Sequence, residues 1–258
     1  MKILIAMHKA YQVPSDSVYL PIQVGAALNS DTPLTGCTPD NTGKNISKLN
    51  GYYNELTALY WAKYNLQSED VIGLVHYRRY FGRKASHDLK DVLTEREIRV
   101  ALETTDVLVP KARNYFIENQ ERHYLNAHNN EPYFVMRDVL TEQFPEYIAA
   151  FQQVGRSTKA HLYNMSIMKQ ADFQAYTDFL FDVLEQVAKR VELAKYVGQD
   201  RRSLGFLAER LMDVWLLTNQ KTTREFALVT TEKTNWLDKG TQFILRKFLP
   251  NMKKKTHF

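Results

Sequence analysis

The chain contains a single cysteine, Cys37, among 258 residues. An internal disulfide and a cysteine-based metal cluster are therefore excluded, and a reducing compartment fits. The ten glycines never assemble into G-x-G-x-x-G or a P-loop, which argues against a dinucleotide enzyme and a P-loop ATPase. No apolar run approaches the roughly 20 residues of a membrane span. The apolar start, Met1 to Met7, is too short for a signal peptide, so the expected location is the cytoplasm. Repeats and low-complexity segments are missing too. Nor does one charge dominate: 34 basic residues face 29 acidic ones, a net +5. That balance suits an acidic ligand or an anionic membrane surface but gives no extended basic stripe, and a nucleic-acid partner is not expected.

What the chain does have is Val71-Ile-Gly-Leu-Val-His-Tyr-Arg-Arg-Tyr-Phe81. Its first five residues read as a strand buried on both faces. At its end stand His76, Arg78 and Arg79, between tyrosines. Ligands of open α/β sheets bind beyond the carboxyl ends of strands. Guanidinium groups there match phosphate or carboxylate oxygens through paired hydrogen bonds. This stretch is read as an anion site, the alternative being a surface ion-pair cluster.

The order of the other elements supports that placement. Residues 2–7 form a strand signal ending in the basic pair His8-Lys9. Residues 10–46, with four prolines, read as one long irregular segment, a type of loop that is often functional; Asn45 in it could present its amide to a base or sugar. A helix is predicted from Ser47 to Tyr64, another from about Leu89 to Leu102, and a strand over 106–110 that delivers Lys111. Helices are predicted within 113–155, a strand over 163–168, helices over 172–195 and 204–217, and a last strand over 226–230. Strand, loop, helix, strand implies a parallel α/β sheet.

Four stretches, Asn54-Glu-Leu-Thr-Ala-Leu-Tyr-Trp61, Ile72-Gly-Leu-Val-His-Tyr-Arg-Arg-Tyr80, Tyr163-Asn-Met-Ser-Ile-Met168 and Gly205-Phe-Leu-Ala-Glu-Arg-Leu211, resemble one family in this order. It is the bacterial capsular and exopolysaccharide biosynthesis proteins long labelled a domain of unknown function and treated as glycosyltransferases. The resemblance runs from residue 2 to about 230. It implies a GT-A-like (Rossmann-like) fold, here a mostly parallel sheet flanked by helices with helical additions. It also implies a nucleotide-sugar donor such as a UDP-sugar, and a glycan or lipid-linked acceptor. Members are linked with galactofuranose transfer.

Most GT-A enzymes carry Asp-x-Asp after the central strand to hold a divalent metal. This chain has His76-Tyr-Arg-Arg79 there and no carboxylate. Carboxylates are the usual ligands of Mg²⁺ and Mn²⁺. The expectation is therefore a metal-independent transferase without cofactor, whose arginines stabilise the leaving diphosphate. His76, Arg78, Arg79 and, more weakly, Lys111 are the expected diphosphate ligands; His8, Lys9 and Asn45 border the nucleotide. Asn164, Met165 and His128 are expected at sugar or acceptor, with a packed helical histidine the alternative for His128. Glu209 is the expected base of an inverting displacement. Its alternative is a helix-surface salt bridge, with Asp200 and Asp172 as fallback bases. A non-catalytic subunit binding sugar nucleotide or polysaccharide is the competing reading. The domain is placed at 1–238. Residues 239–258 read as a basic amphipathic tail suited to an anionic membrane surface, or as a helix docked on the domain.

Overall fold

The structure, a computed structural model, describes residues 1–232. The expected tail and the boundary at residue 238 lie outside them. Among the described residues there are ten strands and eight α-helices: β1 (Lys2–Met7), β2 (Tyr19–Gln23), β3 (Thr38–Pro39), α1 (Asn50–Tyr53), α2 (Leu56–Asn65), β4 (Val71–His76), β5 (Arg79–Gly82) and α3 (Glu95–Glu103) come first. There follow β6 (Val107–Pro110), β7 (Arg113–Asn114), α4 (Gln120–Ala127), α5 (Glu131–Gln143), α6 (Ile148–Arg156), β8 (Lys159–Ala160), β9 (Ser166–Lys169), α7 (Gln170–Arg190), α8 (Ser203–Thr218) and β10 (Thr223–Thr230).

The first half of the sheet is parallel as expected: β1 lies between β2 and β4, and β3 follows β2. The rest is not. β9 runs antiparallel between β4 and β6, β6 pairs in parallel with β10, and β10 pairs antiparallel with β5, which returns to β4 through a tight hairpin. The sheet is mixed, and the expectation of a mostly parallel sheet is corrected. Because β9 opposes both β4 and β6, those two strands still point the same way. The carboxyl ends of β1, β2, β4 and β6 therefore share one edge.

Alternation along the strands divides the core. Leu4, Ile72, Leu74, Val107 and Val109 face the layer of α1, α2 and α4–α8. Ile3, Ile5, Val71, Val75, Leu108 and Ile167 face α3 and the β4–β5 hairpin. Gly73 permits a close approach between strands: a Cβ there would stand 2.6 Å from Ile167 Cγ1 and 2.9 Å from Ile3 Cδ1.

Two local departures matter for the site. The helix expected from Ser47 to Tyr64 breaks at Asn54, whose φ of 52° is left-handed. The Asn50 amide donates to the Asn54 carbonyl at 2.7 Å and holds the break. Glu55 consequently stands at the head of α2. The strand expected over 163–168 starts only at Ser166, because Tyr163 and Asn164 both take left-handed φ, 74° and 53°.

Candidate active site

The Tyr163–Asn164 turn is the centre of the site. Left-handed backbone costs a non-glycine residue roughly 1–3 kcal/mol and persists only where the surroundings over-determine it. Asparagine tolerates it; tyrosine does so poorly. Four hydrogen bonds hold the turn, from three different parts of the chain. The Tyr163 carbonyl accepts from His76 Nε2 at 2.6 Å, so that nitrogen carries the ring proton. The Tyr163 N–H donates to Glu209 Oε1 at 2.8 Å. The Asn164 amide donates to Glu55 Oε1 at 2.8 Å and to the Gly205 carbonyl at 3.1 Å. The ends of β4 and β9 and the heads of α2 and α8 thereby meet at one point.

Basic side chains surround it. His76 and Arg79 lie opposite each other in the β4–β5 hairpin, so their side chains leave the same face. The Arg79 guanidinium lies 4.4 Å from the centre of the Tyr163 ring. Among the described residues no carboxylate forms an ion pair with it. Arg202 donates to Asn54 Oδ1 at 2.9 Å. Burial holds His76 below the ordinary histidine range; Glu55 and the Tyr163 carbonyl oppose this, and Arg79 and Arg202 add to it. His76 is thus neutral near pH 7. Burial also lowers His8, helped by Lys9, Arg78, Arg202 and His76.

Glu209 is the contrasting group. Burial pushes its carboxyl up to about 7, against the pull of Arg210, the Tyr163 N–H and Arg202, with Glu55 adding to the rise. Part of its surface stays open to solvent. No salt bridge to a helix neighbour forms: Arg210 donates to the Phe206 carbonyl and lies over the Tyr124 ring, and Asp213 holds His161. A partly exposed carboxyl that titrates near neutrality can take up a proton at physiological pH.

The structure separates some residues that the sequence had grouped. Arg78 occupies the hairpin turn and pairs with Glu232 at 2.9 Å, which also accepts from the Tyr11 hydroxyl at 2.5 Å. It therefore faces His8, Lys9 and Tyr77, where the His8 and Tyr77 rings meet edge-on at 4.9 Å and Lys9 lies over the Tyr11 and Tyr77 rings. Lys111 is exposed at the end of β6. The Asn45 amide turns inward on its own loop, donating to the Gly43 carbonyl and accepting from the Ser47 N–H. Met165 is 1% exposed and belongs to the core under the sheet. His128 stacks on Phe206 at 4.1 Å with Asp200 3.8 Å away, on the rim beyond Arg202. Asp172 pairs with Lys221 at 2.6 Å, away from the turn. Glu55 and Arg202 were not picked out from the sequence. The signal for Glu55 was a single carboxylate opening an otherwise apolar helix.

A fold of this kind is also found in a solved glycosyltransferase. The chain matches the apo structure of the WbbM bifunctional glycosyltransferase with a TM-score of 0.82 and 27% identity, over 90% of this chain and 45% of that one. It thus spans about half the length of that protein. A family model described as a domain of unknown function, DUF4422, matches residues 2–220; the chain belongs to that family. Together the two findings support a glycosyltransferase-related family. Comparison with curated proteins gives no match. No helix among the described residues is long and apolar enough to cross a membrane.

Proposed function

We propose that the chain is a GT-A-like, inverting glycosyltransferase domain using a UDP-sugar donor and a glycan or lipid-linked acceptor of capsule or exopolysaccharide synthesis. Galactofuranose is the sugar suggested by the family resemblance. The observation that carries this reading is Glu209: a half-sheltered carboxyl titrating near 7, hydrogen-bonded to a strained turn and ringed by His76, Arg79 and Arg202. In the reaction, the acceptor hydroxyl attacks the anomeric carbon and gives its proton to Glu209. The bond from that carbon to the diphosphate oxygen breaks, and its electron pair leaves with the nucleoside diphosphate. Arg79 is the guanidinium best placed to meet that charge, because among the described residues it has no carboxylate partner to leave. His8, Lys9 and Arg78 border the nucleotide side. Cationic side chains take the part a divalent metal plays in other transferases, so the reaction is metal-independent in this reading. Action at the inner face of the plasma membrane completes it.

The test is a panel of UDP-sugars assayed for binding, hydrolysis and transfer with the full chain and with Glu209→Gln, each with and without EDTA. Transfer that survives EDTA and disappears in Glu209→Gln, with UDP binding intact, is the expected result. Binding without turnover by the unaltered chain would establish the non-catalytic sugar-nucleotide-binding reading instead. Loss of turnover on chelation with recovery on Mn²⁺ would remove the metal-independent step.

A further inference from the structure

Beside the site the chain exposes two adjacent apolar side chains. Phe116 is 80% and Ile117 54% exposed, whereas Tyr115 just before them is buried and stacks on His123 at 4.0 Å. The tip is not a loose loop. Tyr115 N–H donates to the Thr158 carbonyl and Gln120 N–H to the Ser157 carbonyl, both at 2.8 Å. Phe116 N–H donates to Asn114 Oδ1 at 2.8 Å and Ile117 N–H to the Tyr115 carbonyl at 2.6 Å. Phe116 is held at a left-handed φ of 57°. The fold therefore spends conformational strain to keep a phenyl ring in water, where exposure of apolar surface is itself unfavourable.

The surroundings are basic. Lys111, Arg113, Arg122 and Lys159 are exposed and flank the tip along the chain and across the β7–β8 ladder, in which Arg113 faces Ala160 and Asn114 faces Lys159. None of the four forms an ion pair among the described residues. Of the nearby acids, Glu118 is turned inward onto His123 and Asn126 and Asp213 onto His161, Glu121 is half-buried, and the exposed Glu225 pairs with His161 at 3.3 Å. The tip also belongs to the carboxyl edge of the sheet. It follows β6, Tyr115 lies within electrostatic reach of Glu209 and Tyr163, and β8 leads in three residues to Tyr163.

We propose that the Phe116–Ile117 tip and its basic flank form a docking point for an anionic lipid bilayer. Two side chains are far short of the roughly 800 Å² per partner that a stable protein interface buries. They are the right equipment for reversible interfacial attachment, in which apolar groups enter the acyl boundary while lysines and arginines meet anionic headgroups. Docking there turns the edge bearing Glu209 towards the bilayer. The proposal stands on the tip and its charges, and does not rest on the transferase reading.

Flotation of the full chain with phosphatidylcholine vesicles, with and without phosphatidylglycerol, tests it. The intact protein is expected to float only with the anionic vesicles and to be released by salt. Phe116→Ser/Ile117→Ser should reduce the bound fraction about tenfold without lowering the melting temperature, since both side chains are already in water. Arg113→Glu/Lys159→Glu should reduce it as well, keeping the apolar tip. Three results would each overturn the proposal: no flotation of the intact chain, flotation unchanged by the serine substitutions, or a dimer in solution that the serine substitutions dissolve.

Discussion

The two edges of the sheet treat charge in opposite ways. At the amino edge the ionic groups around Met1 and Arg99 are paired: the Met1 amino group lies 2.5 Å from Glu69 and 2.9 Å from Asp70, and Arg99 reaches Asp70 at 2.6 Å and Glu95 at 2.8 Å. Arg99 first, then the Met1 amino group, hold the Asp70 carboxyl well below the usual carboxylate range. An open cleft of about 480 Å³ lies here, lined by Asp70, Arg99, Glu103 and Lys169. At the carboxyl edge the accounts are left open. Arg79 has a tyrosine ring in place of a carboxylate, Glu209 titrates near neutrality, and two consecutive residues are left-handed. Paired charges on relaxed backbone serve stability, and unpaired ones on strained backbone are kept for something that is not protein. By that criterion the cleft at the amino edge is a surface feature, despite its volume.

The contrast is broken or sharpened most strongly at Glu209. Glu209→Gln should lower transfer by about 10²–10⁴-fold, the usual worth of a general base, and wild-type activity should fall as pH drops below about 7. Stability should move the other way. A carboxyl whose value rises from 4.5 to about 7 on folding binds more protons in the folded chain across that window. Folding stability is then lost as pH rises through it. Melting temperatures of Glu209→Gln should therefore match wild type at acidic pH and exceed it at alkaline pH. Equal curves at both would show that Glu209 is an ordinary surface carboxylate.

Next come the arginines. Arg79→Ala should cost about a hundredfold in turnover, a loss of 2–4 kcal/mol of charge-assisted contact. Arg78→Ala should cost clearly less, because Glu232 already holds that guanidinium. Steady-state kinetics of both on one donor decides this, and equal losses would return the two arginines to a single site. Third in size is Asn164→Ala, expected to destabilise by about 1–3 kcal/mol, since Glu55 and the Gly205 carbonyl lose their donor in a buried place. Urea unfolding measures it. At the amino edge Arg99→Ala should change stability by less than about 1 kcal/mol, vanish in salt, and leave transfer untouched. A larger effect there would undo the contrast.

Single-sequence reading recovered what local pattern encodes. β1 and β4 coincide with apolar runs, and α7 and α8 with helical spacing. β2 was hidden in the irregular segment because Pro21 removes a ladder donor; it is tolerated since β3 pairs only from Ile22 onwards. The reversed β9 could not be seen, for direction in a sheet is decided by partners more than 50 residues away in the chain. Adjacency misled at Arg78 and Arg79, which a two-residue turn sends to different neighbours. Glu55 was legible only as a helix-starting acid; its meeting with Asn164, 109 positions away, is a product of the fold.

Asp40 is completely buried at the end of β3, and its carboxyl accepts from the Gly25 N–H at 2.9 Å, the Ala26 N–H at 3.0 Å and the Thr57 hydroxyl at 2.7 Å, as well as from the Ser47 hydroxyl. One side chain thus ties the loop after β2 to α2, the helix that carries Glu55 at its head. Opening that loop alone would strand several donors at once. Its backbone amides are therefore expected to exchange hydrogen with solvent only when the sheet itself opens, on the timescale of the central strands. A surface loop that keeps time with the core makes this flank of the site a fixed wall, against which any closing motion must come from the opposite side.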